Sequence, residues 1–160
     1  GYGSPPDKPL RTDAGPNCYL YAGSKKRRCQ LLTVAALLLT AFLFGGMLLY
    51  SFGFAAFVFA TLTAEQAGQL LRQAFPHFYA WCAITSVAAA LPFYTVDPLS
   101  SGLLLAVAVT TIPARQVLMP AINSATDSGN RSRFNVLHSA SVILTLLQIG
   151  AVGFCLTRLI

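Results

Sequence analysis

One face of the last apolar segment carries four polar side chains, and these are the first residues whose types could do chemistry. They lie at offsets of 0, 3, 7 and 10 residues and are His138, Ser141, Thr145 and Gln148. A helix places residues at these offsets in one narrow stripe. Because a polar stripe is costly against lipid, we expect this one to point into a helix bundle. It then provides hydrogen bonds between helices, each worth about 0.6 kcal/mol in membranes, or it forms part of a ligand site.

Further polar residues are expected near the side of the membrane at which this stripe begins. His77 starts the second apolar segment, Arg115 lies near the end of the third, and Asp127 follows it in a polar stretch. With His138 and Gln148 they predict a pocket for an anionic lipid headgroup, a quinone or another small ligand. Two histidines could also bind haem or act as acid and base, which would make the protein a redox protein or an enzyme. No further ligand for such a centre is evident.

The cysteines show no pattern typical of metal binding or thiol chemistry. No C-x-x-C pair and no metal-ligand spacing occurs among Cys18, Cys29, Cys82 and Cys155. We expect small apolar residues or unpaired thiols, with acylation of Cys29 beside a basic run as an alternative. Since no catalytic constellation is evident either, we predict no catalytic residue, no metal, no cofactor and no enzyme activity.

The composition of the chain decides the environment in which these side chains lie. Of 160 residues, 11 are Lys or Arg and 5 are Asp or Glu, so that 10% are charged, whereas 55% are hydrophobic. A soluble domain carries about 25% charged residues. Sixteen charges cannot cover the surface of a 17.1 kDa globule in water. This excludes a soluble enzyme and, despite a net charge of +6, a nucleic-acid-binding domain. We predict an integral membrane protein.

Four apolar segments are long enough to hold the polar residues inside a bilayer, because a spanning helix needs about 20 apolar residues. The sequence predicts an all-α, antiparallel four-helix membrane bundle over residues 29–160. The four spans are expected near residues 31–61, 76–96, 98–120 and 134–157. A polar loop over residues 123–133 is expected to join the last two spans.

The connection between the first two spans has its own pattern. Thr63 with Gln66 fits a capping box at a helix start. Apolar residues between 63 and 74 fall on one face, which predicts a short amphipathic helix lying at the membrane interface. Pro76 is expected to end this helix and to start the second span.

Small residues in the first span predict where helices approach each other closely. Gly46, Gly53 and Ala60 recur every seven residues, which is typical of a packing seam between membrane helices. We expect Ser141 and Thr145 of the last span to serve the same packing role through hydrogen bonds.

The first 28 residues form a different kind of segment. They contain four prolines and no apolar period, which predicts an extended tail that becomes ordered only when a partner holds it. The tail ends in a basic run of Lys25, Lys26, Arg27 and Arg28. Such a run next to an uncharged stretch is a membrane stop and topology signal. Because the chain begins with Gly1 rather than Met, we expect a processed product.

Basic residues also predict the orientation. Seven are expected on the tail side, namely Lys8, Arg11, Lys25, Lys26, Arg27, Arg28 and Arg158. Four are expected on the opposite side, namely Arg72, Arg115, Arg131 and Arg133. The excess places both termini on the cytoplasmic side, which is the matrix or stroma in an organelle.

Several short motifs resemble a known family. They are FGGM at 44–47, FPHFY at 75–79, PAIN at 120–123, DSG at 127–129 and FNVLHSASV at 134–142. Together they resemble the transmembrane protein 205-like family, small four-helix membrane proteins of unassigned biochemical function. The resemblance extends from Leu31 to the C-terminus and implies a shared bundle and a shared histidine, here His138. It brings no catalytic mechanism, and the tail lies outside it.

Two functional hypotheses follow, besides the redox alternative. The leading one is a non-catalytic accessory subunit of a large membrane complex, of the respiratory chain or another energy-transducing organelle system. Its partners would be other subunits and lipids, not nucleic acid, and its location the mitochondrial inner membrane, with the thylakoid as alternative. The second is a small membrane protein that binds a lipid, quinone or small ligand near His77, Arg115 and His138.

Overall fold

The computed structural model describes residues 23–159, and over this range the chain consists of helices joined by short turns. The four long helices are α1 (Ser24–Thr61), α2 (Ala64–Val96), α3 (Pro98–Asp127) and α4 (Arg131–Thr157). Each is long and apolar enough to cross a membrane. The predicted all-α class and the four membrane-span-like helices are therefore confirmed.

The N-terminal tail was predicted too long. Helix α1 begins at Ser24, so the basic run from Lys25 to Arg28 forms its first turns instead of ending an extended segment. Lys and Arg are good helix formers, and no proline or glycine follows Gly23 in this run. The rest of the predicted tail, residues 1–22, lies outside the described residues. Cys29 is disulfide-bonded, contrary to the expected unpaired thiol.

Helix α1 changes its winding halfway along. A π-helical segment, Leu49–Phe54, lies between two α-helical parts, Ser24–Leu48 and Ala55–Thr61. A π turn holds more residues than an α turn, so the residues that follow it are rotated about the helix axis relative to a regular α-helix. Gly46 accordingly lies against α2, whereas Gly53 and Ala60 are exposed. Of the three predicted seam residues, Gly46 makes a close contact with a facing helix, and a packing role of Gly53 and Ala60 against other chains stays a prediction.

Helix α2 begins with the predicted capping box. The Thr63 side chain accepts a hydrogen bond from the Gln66 backbone N–H, and the Gln66 side chain accepts one from the Thr63 N–H. The predicted helix end at Pro76 is not found, because α2 continues through this residue to Val96. Aromatic residues on both sides of Pro76 pack against α1 and each other, and such packing lets membrane helices tolerate a proline. The amphipathic stretch is thus the first part of α2, not a separate helix.

The loop before α4 is shorter than predicted. Helix α3 continues to Asp127, with a second π-helical segment at Ala114–Leu118. The hydroxyl groups of Thr126 and Ser128 donate hydrogen bonds to backbone carbonyl oxygens four residues earlier. These polar side chains therefore have partners on the helix itself. Gly129, with φ of 65°, makes the turn, since only glycine adopts this conformation without steric cost. The Asn130 side chain then caps α4.

The core is formed by residues from all four helices. Leu43 and Met47 of α1, Phe93 of α2, Leu104 of α3 and Val152 of α4 are fully buried. Cys82 and Cys155 are free and buried in the same cluster, as expected for small apolar residues.

Two ion pairs connect opposite ends of the helices. Arg72 near the start of α2 donates to Asp127 at the end of α3, over 2.7 Å. Arg158, just after α4, donates to both carboxylate oxygens of Asp97 between α2 and α3, at 2.6 and 3.1 Å. This guanidinium, with a hydrogen bond from Ser100, lowers the pKa of the Asp97 carboxyl below its usual range. We call the end of the molecule that holds the Arg72–Asp127 pair the Asp127 end, and the end that holds the Arg158–Asp97 pair the Asp97 end.

Candidate functional site

A groove with a volume of about 770 Å³ lies between α1 and α2. Ligand pockets in proteins range from about 300 to 1,000 Å³. Its walls are almost wholly apolar and include Tyr50, Phe54 and Phe57 of α1 and His77 and Trp81 of α2. The groove can therefore accommodate the hydrocarbon body of a small molecule, with His77 as a basic side chain in its lining.

Two glycines of α1 line the groove. The Trp81 ring packs directly against Gly46, and Gly53 lies within the Leu49–Phe54 π segment. One wall is held by aromatic stacking, since the Tyr50 and Phe78 rings lie 4.0 Å apart and nearly parallel at 5°. Aromatic contacts of this kind contribute about 0.5–1.5 kcal/mol beyond burial. The wall is thus fixed before any ligand binds.

His77 presents one ring nitrogen for a ligand. Its side chain is exposed, and its Nδ1 lies 3.0 Å from the Gln73 carbonyl oxygen. A carbonyl oxygen only accepts, so Nδ1 carries the proton that is donated in this bond. In the neutral ring Nε2 is then an acceptor, and in the protonated ring it is a donor. His77 can therefore bind a hydroxyl group or, when charged, an anionic group at the rim of the groove.

A second pocket lies between α2 and α3 towards the Asp127 end. It has a volume of about 550 Å³ and is lined by Pro76, Arg115, Met119, Pro120, Asn123, Ser124 and Asp127. The α3 residues among them recur at helical spacing on one face, so the pocket runs along α3 opposite Pro76. Its composition differs from that of the groove, because it combines an exposed guanidinium with an amide and a hydroxyl.

The polar stripe of α4 divides into an exposed start and a buried end. His138 is exposed and stacks on Phe134, with ring centroids 5.4 Å apart. Ser141 and Thr145 are half-buried, and the Ser141 hydroxyl lies 3.5 Å from the Tyr79 hydroxyl of α2. Gln148 is buried and its amide nitrogen lies 2.9 Å from the Thr110 hydroxyl of α3. Ser141 and Gln148 thus contact polar groups of other helices, whereas Thr145 donates to the Ser141 carbonyl oxygen of its own helix.

The structure does not bring the four predicted pocket residues together. His77 lines the α1–α2 groove and Arg115 lines the α2–α3 pocket, whereas His138 and Gln148 line neither of these two cavities. The Gln148 amide is instead buried and donates to the Thr110 and Thr111 hydroxyl groups of α3. The single predicted pocket is thus replaced by two separate ones.

The aromatic wall of the groove was not recognised as a site in the sequence. Tyr50 and Phe54 are four residues apart, and Phe78 and Trp81 on the facing helix are three apart, spacings that indicate only packing. Their proximity to glycines was visible, but the π segment that opens the groove leaves no clear signal in the sequence. Within residues 23–159, no group of three or more His, Cys, Asp or Glu side chains could hold a metal ion.

The comparisons with known proteins concern the part of the chain that forms both cavities. Residues 38–131 match the family model described as a domain of unknown function, DUF4149. The match begins in α1 and ends where α4 begins, so His138 and Gln148 lie beyond it. No significant match was found among curated proteins or among solved structures. The match supports the expected small membrane domain of unknown function, although it does not carry the transmembrane protein 205-like name. Since the matched segment covers more than half of the 160 residues, the chain belongs to the DUF4149 family.

Proposed function

We propose that this chain is a non-enzymatic integral membrane protein that binds an amphiphilic membrane molecule in the α1–α2 groove. The observation that carries the proposal is an apolar groove of about 770 Å³ with the exposed His77 among its lining residues. An amphiphile of matching chemistry has a hydrocarbon body and a hydroxyl or carboxylate head. The second of the two sequence hypotheses, a bound lipid or small ligand, is thereby favoured over the first.

The position of His77 along α2 supports an amphiphile in particular. Before it, α2 carries Glu65, Arg72 and Gln73, which belong in water or among headgroups. After it, α2 is uncharged until Val96. The membrane interface is therefore expected near His77, with Trp81 one turn deeper, as is typical of aromatic residues near an interface. A ligand head would then contact His77 while its apolar body extends into the hydrocarbon layer.

The lengths of the helices agree with this depth. At 1.5 Å per residue, the 38 residues of α1 extend about 57 Å, whereas the hydrocarbon core is about 30 Å thick. The 33 residues of α2 extend about 50 Å. Both helices must tilt or project beyond the bilayer. A projecting first part of α2 leaves the groove open at the headgroup level.

Photo-crosslinking tests the proposal. The protein would be reconstituted in vesicles that contain a fatty acid with a diazirine group, and crosslinked peptides would be identified by mass spectrometry. We expect crosslinks on the groove residues of α1 and α2. Gly53→Leu fills the groove and should reduce them several-fold. Gly45→Leu is the matched control, because Gly45 belongs to the same helix, lies outside the groove and has open space around its Cα.

Two results would speak against an amphiphile site. One is equal crosslinking of the groove peptides in the wild type and in Gly53→Leu. The other is crosslinking spread evenly over all lipid-facing residues of the four helices. His77→Leu tests the contribution of the ligand's polar head separately from that of its hydrocarbon body. If crosslinking is lost only for probes with a free carboxylate or hydroxyl, the result supports the assigned role of His77.

The accessory-subunit hypothesis is a second candidate. The observation in its favour is that only 22% of the most apolar window of α1 is buried within the chain, which leaves a long apolar face for other subunits as well as for lipid. Purification in a mild detergent tests it, because a subunit would migrate with its complex. Migration as a lone 17 kDa protein would contradict this candidate and leave the amphiphile site untouched.

We further propose that the helices form an antiparallel bundle with both ends of the described chain on one side of the membrane, the side of the Asp97 end. The contacts of Arg72 with Asp127 and of Arg158 with Asp97 support this arrangement. The positive charge near Lys25 and Arg158 supports a cytoplasmic, matrix or stromal location of that side. The short motifs quoted above support a likeness to the transmembrane protein 205-like family, and we include an organelle membrane such as the mitochondrial inner membrane in this proposal.

A further inference from the structure

We propose that the α2–α3 pocket binds the phosphate group of an anionic phospholipid, with Arg115 as the residue that contacts the phosphate oxygens. This site is separate from the α1–α2 groove, and it does not rest on the proposed function. The two cavities share no lining residue, although both lie beside the stretch of α2 around Pro76 and His77.

The argument begins with an unbalanced charge in a membrane helix. Arg115 lies 12 residues before Asp127, which is about 18 Å along the α3 axis. A guanidinium remains charged in proteins, and a charge at membrane depth needs a counter-charge or water. In the described part of the chain, the two ion pairs between side chains join Arg72 to Asp127 and Arg158 to Asp97. Neither pair includes Arg115, which leaves its guanidinium without a carboxylate partner within residues 23–159.

Asp127 lines the same pocket and would repel an anion if it were unpaired. Its carboxylate accepts a hydrogen bond from Arg72 over 2.7 Å. The pair balances its own charge, which leaves the positive charge of Arg115 as the net charge of the pocket. A phosphodiester, with one negative charge, balances that net charge.

The remaining lining residues fit the parts of a phospholipid. Asn123 and Ser124 lie two turns further along the same face of α3 towards the Asp127 end. Their amide and hydroxyl groups can donate hydrogen bonds to phosphate or glycerol oxygens. Pro76, Met119 and Pro120 provide the apolar wall that the first part of the acyl chains would contact. An arginine that combines its charge with several donors is typical of phosphate recognition.

The backbone around Arg115 provides a second, independent observation. The π-helical segment Ala114–Leu118 includes Arg115. Segments of this kind are rare and occur frequently at functional sites, where they change the direction in which side chains point. A lipid is favoured over a soluble phosphate as the source, because the pocket lies on a helix that is apolar enough to span the membrane.

Binding would be tested on the full chain in detergent, with phosphatidylglycerol and phosphatidylcholine added as probes and lipid adducts measured by native mass spectrometry. We expect phosphatidylglycerol to bind about tenfold more tightly, because the choline cation of phosphatidylcholine already balances its phosphate, whereas phosphatidylglycerol carries a net negative charge that the guanidinium can balance. Arg115→Gln should abolish this preference. Arg131→Gln is the matched control, because Arg131 is exposed towards the same end and lies outside the pocket.

Each outcome decides the proposal. If the wild type and Arg115→Gln prefer phosphatidylglycerol equally, the proposal is overturned. It is also overturned if Arg131→Gln loses this preference as fully as Arg115→Gln does. If Arg115→Gln does not fold, Arg115→Lys keeps the charge but not the planar set of donors, and a reduced preference of several-fold supports the site. An unchanged preference in that variant would contradict the assigned contact.

Two further arms separate the source and the site. Inorganic phosphate at the concentration of the lipid should not displace it, and full displacement would overturn the assignment to a lipid. Gly53→Leu, which fills the α1–α2 groove, should leave the preference for phosphatidylglycerol unchanged. A loss of this preference in Gly53→Leu but not in Arg115→Gln would overturn the Arg115 site and leave the proposed amphiphile site standing.

Discussion

Replacement of Gly46 by alanine should weaken the contact between α1 and α2 much more than the same change one residue earlier. A Cβ atom on Gly46 would overlap Cη2 of Trp81 and would lie 2.8 and 2.9 Å from Cζ2 and Cζ3. Carbon atoms in contact are about 3.5–4.0 Å apart. A Cβ on Gly45 would meet nothing within 4 Å. The two neighbouring glycines therefore form a matched pair for one experiment.

The magnitude follows from what the Trp81 ring must give up. Its ring lies 5.3 Å from Phe42 in an edge contact and 6.2 Å from Phe78 in a stacked one. If the ring moves aside, it loses two aromatic contacts of about 0.5–1.5 kcal/mol each. If it stays, overpacking costs about 1–3 kcal/mol. Both routes give a loss of about 1–3 kcal/mol for Gly46→Ala relative to Gly45→Ala, because the gain in helix propensity, about 0.5–1 kcal/mol, is common to both.

The assay is reversible unfolding in mixed micelles, with the free energy of unfolding measured by circular dichroism as the fraction of denaturing detergent rises. Trp81→Leu serves as a second background, because a smaller side chain leaves room for the added methyl group. In that background the difference between the two alanine variants should shrink to below about 0.5 kcal/mol. Equal stability of Gly46→Ala and Gly45→Ala in the wild-type background would refute the close approach of α1 and α2 at this position.

Other parts of the structure give further predictions for the same unfolding assay. Gln148→Leu should lower the free energy of unfolding by about 0.6 kcal/mol, and by no more than about 1.7 kcal/mol, because it removes hydrogen bonds between membrane helices; no loss would show that these bonds contribute nothing. Gly153→Leu should destabilise the contact of α4 with α1 by about 1–3 kcal/mol, since a Cβ there lies 3.1 Å from the Phe44 ring; a neutral effect would contradict that contact. Arg158 lowers the pKa of Asp97 in the folded state. The Asp97 carboxylate therefore makes its full contribution to the free energy of unfolding above the unfolded pKa of about 3.9, and this contribution is lost as the pH falls through the folded pKa. Asp97→Asn should remove that part of the acid dependence, and an unchanged acid profile would contradict the ion pair.

The fold class could be predicted because it depends on features that are local in sequence. Length, hydropathy and charge together require helices that cross a membrane, and the capping box at Thr63 and Gln66 marks the start of α2 within one residue. A capping box involves residues three apart, so its pattern is complete in the sequence. Prolines and polar residues were less reliable. Pro76 and the stretch before Gly129 lie in continuous helix, because packing and hydrogen bonds to helix carbonyls offset their unfavourable propensities.

The candidate site could be predicted only in its residue types. His77 and Arg115 were identified as the polar groups that membrane helices do not tolerate without a reason, and both line cavities. Their assignment to one pocket with His138 and Gln148 failed, because it depended on which faces of four helices meet. Of these residues Arg115 lies in a π-helical segment, which rotates its face relative to a regular helix, and a rotation of this kind leaves the apolar composition unchanged.

The sequence by itself determined that this chain is a membrane protein of four helices, because the number of apolar residues in each segment and the scarcity of charges decide the solvent. Only the tertiary structure decided that Gly46 rather than Gly53 approaches the facing helix, that Gln148 bonds to hydroxyl groups of α3, and that His77 and Arg115 belong to separate cavities. Hydrophobicity is a property of each residue and adds up along the chain. Contact between faces depends on the rotation of each helix about its axis, to which residues distant in sequence contribute through packing.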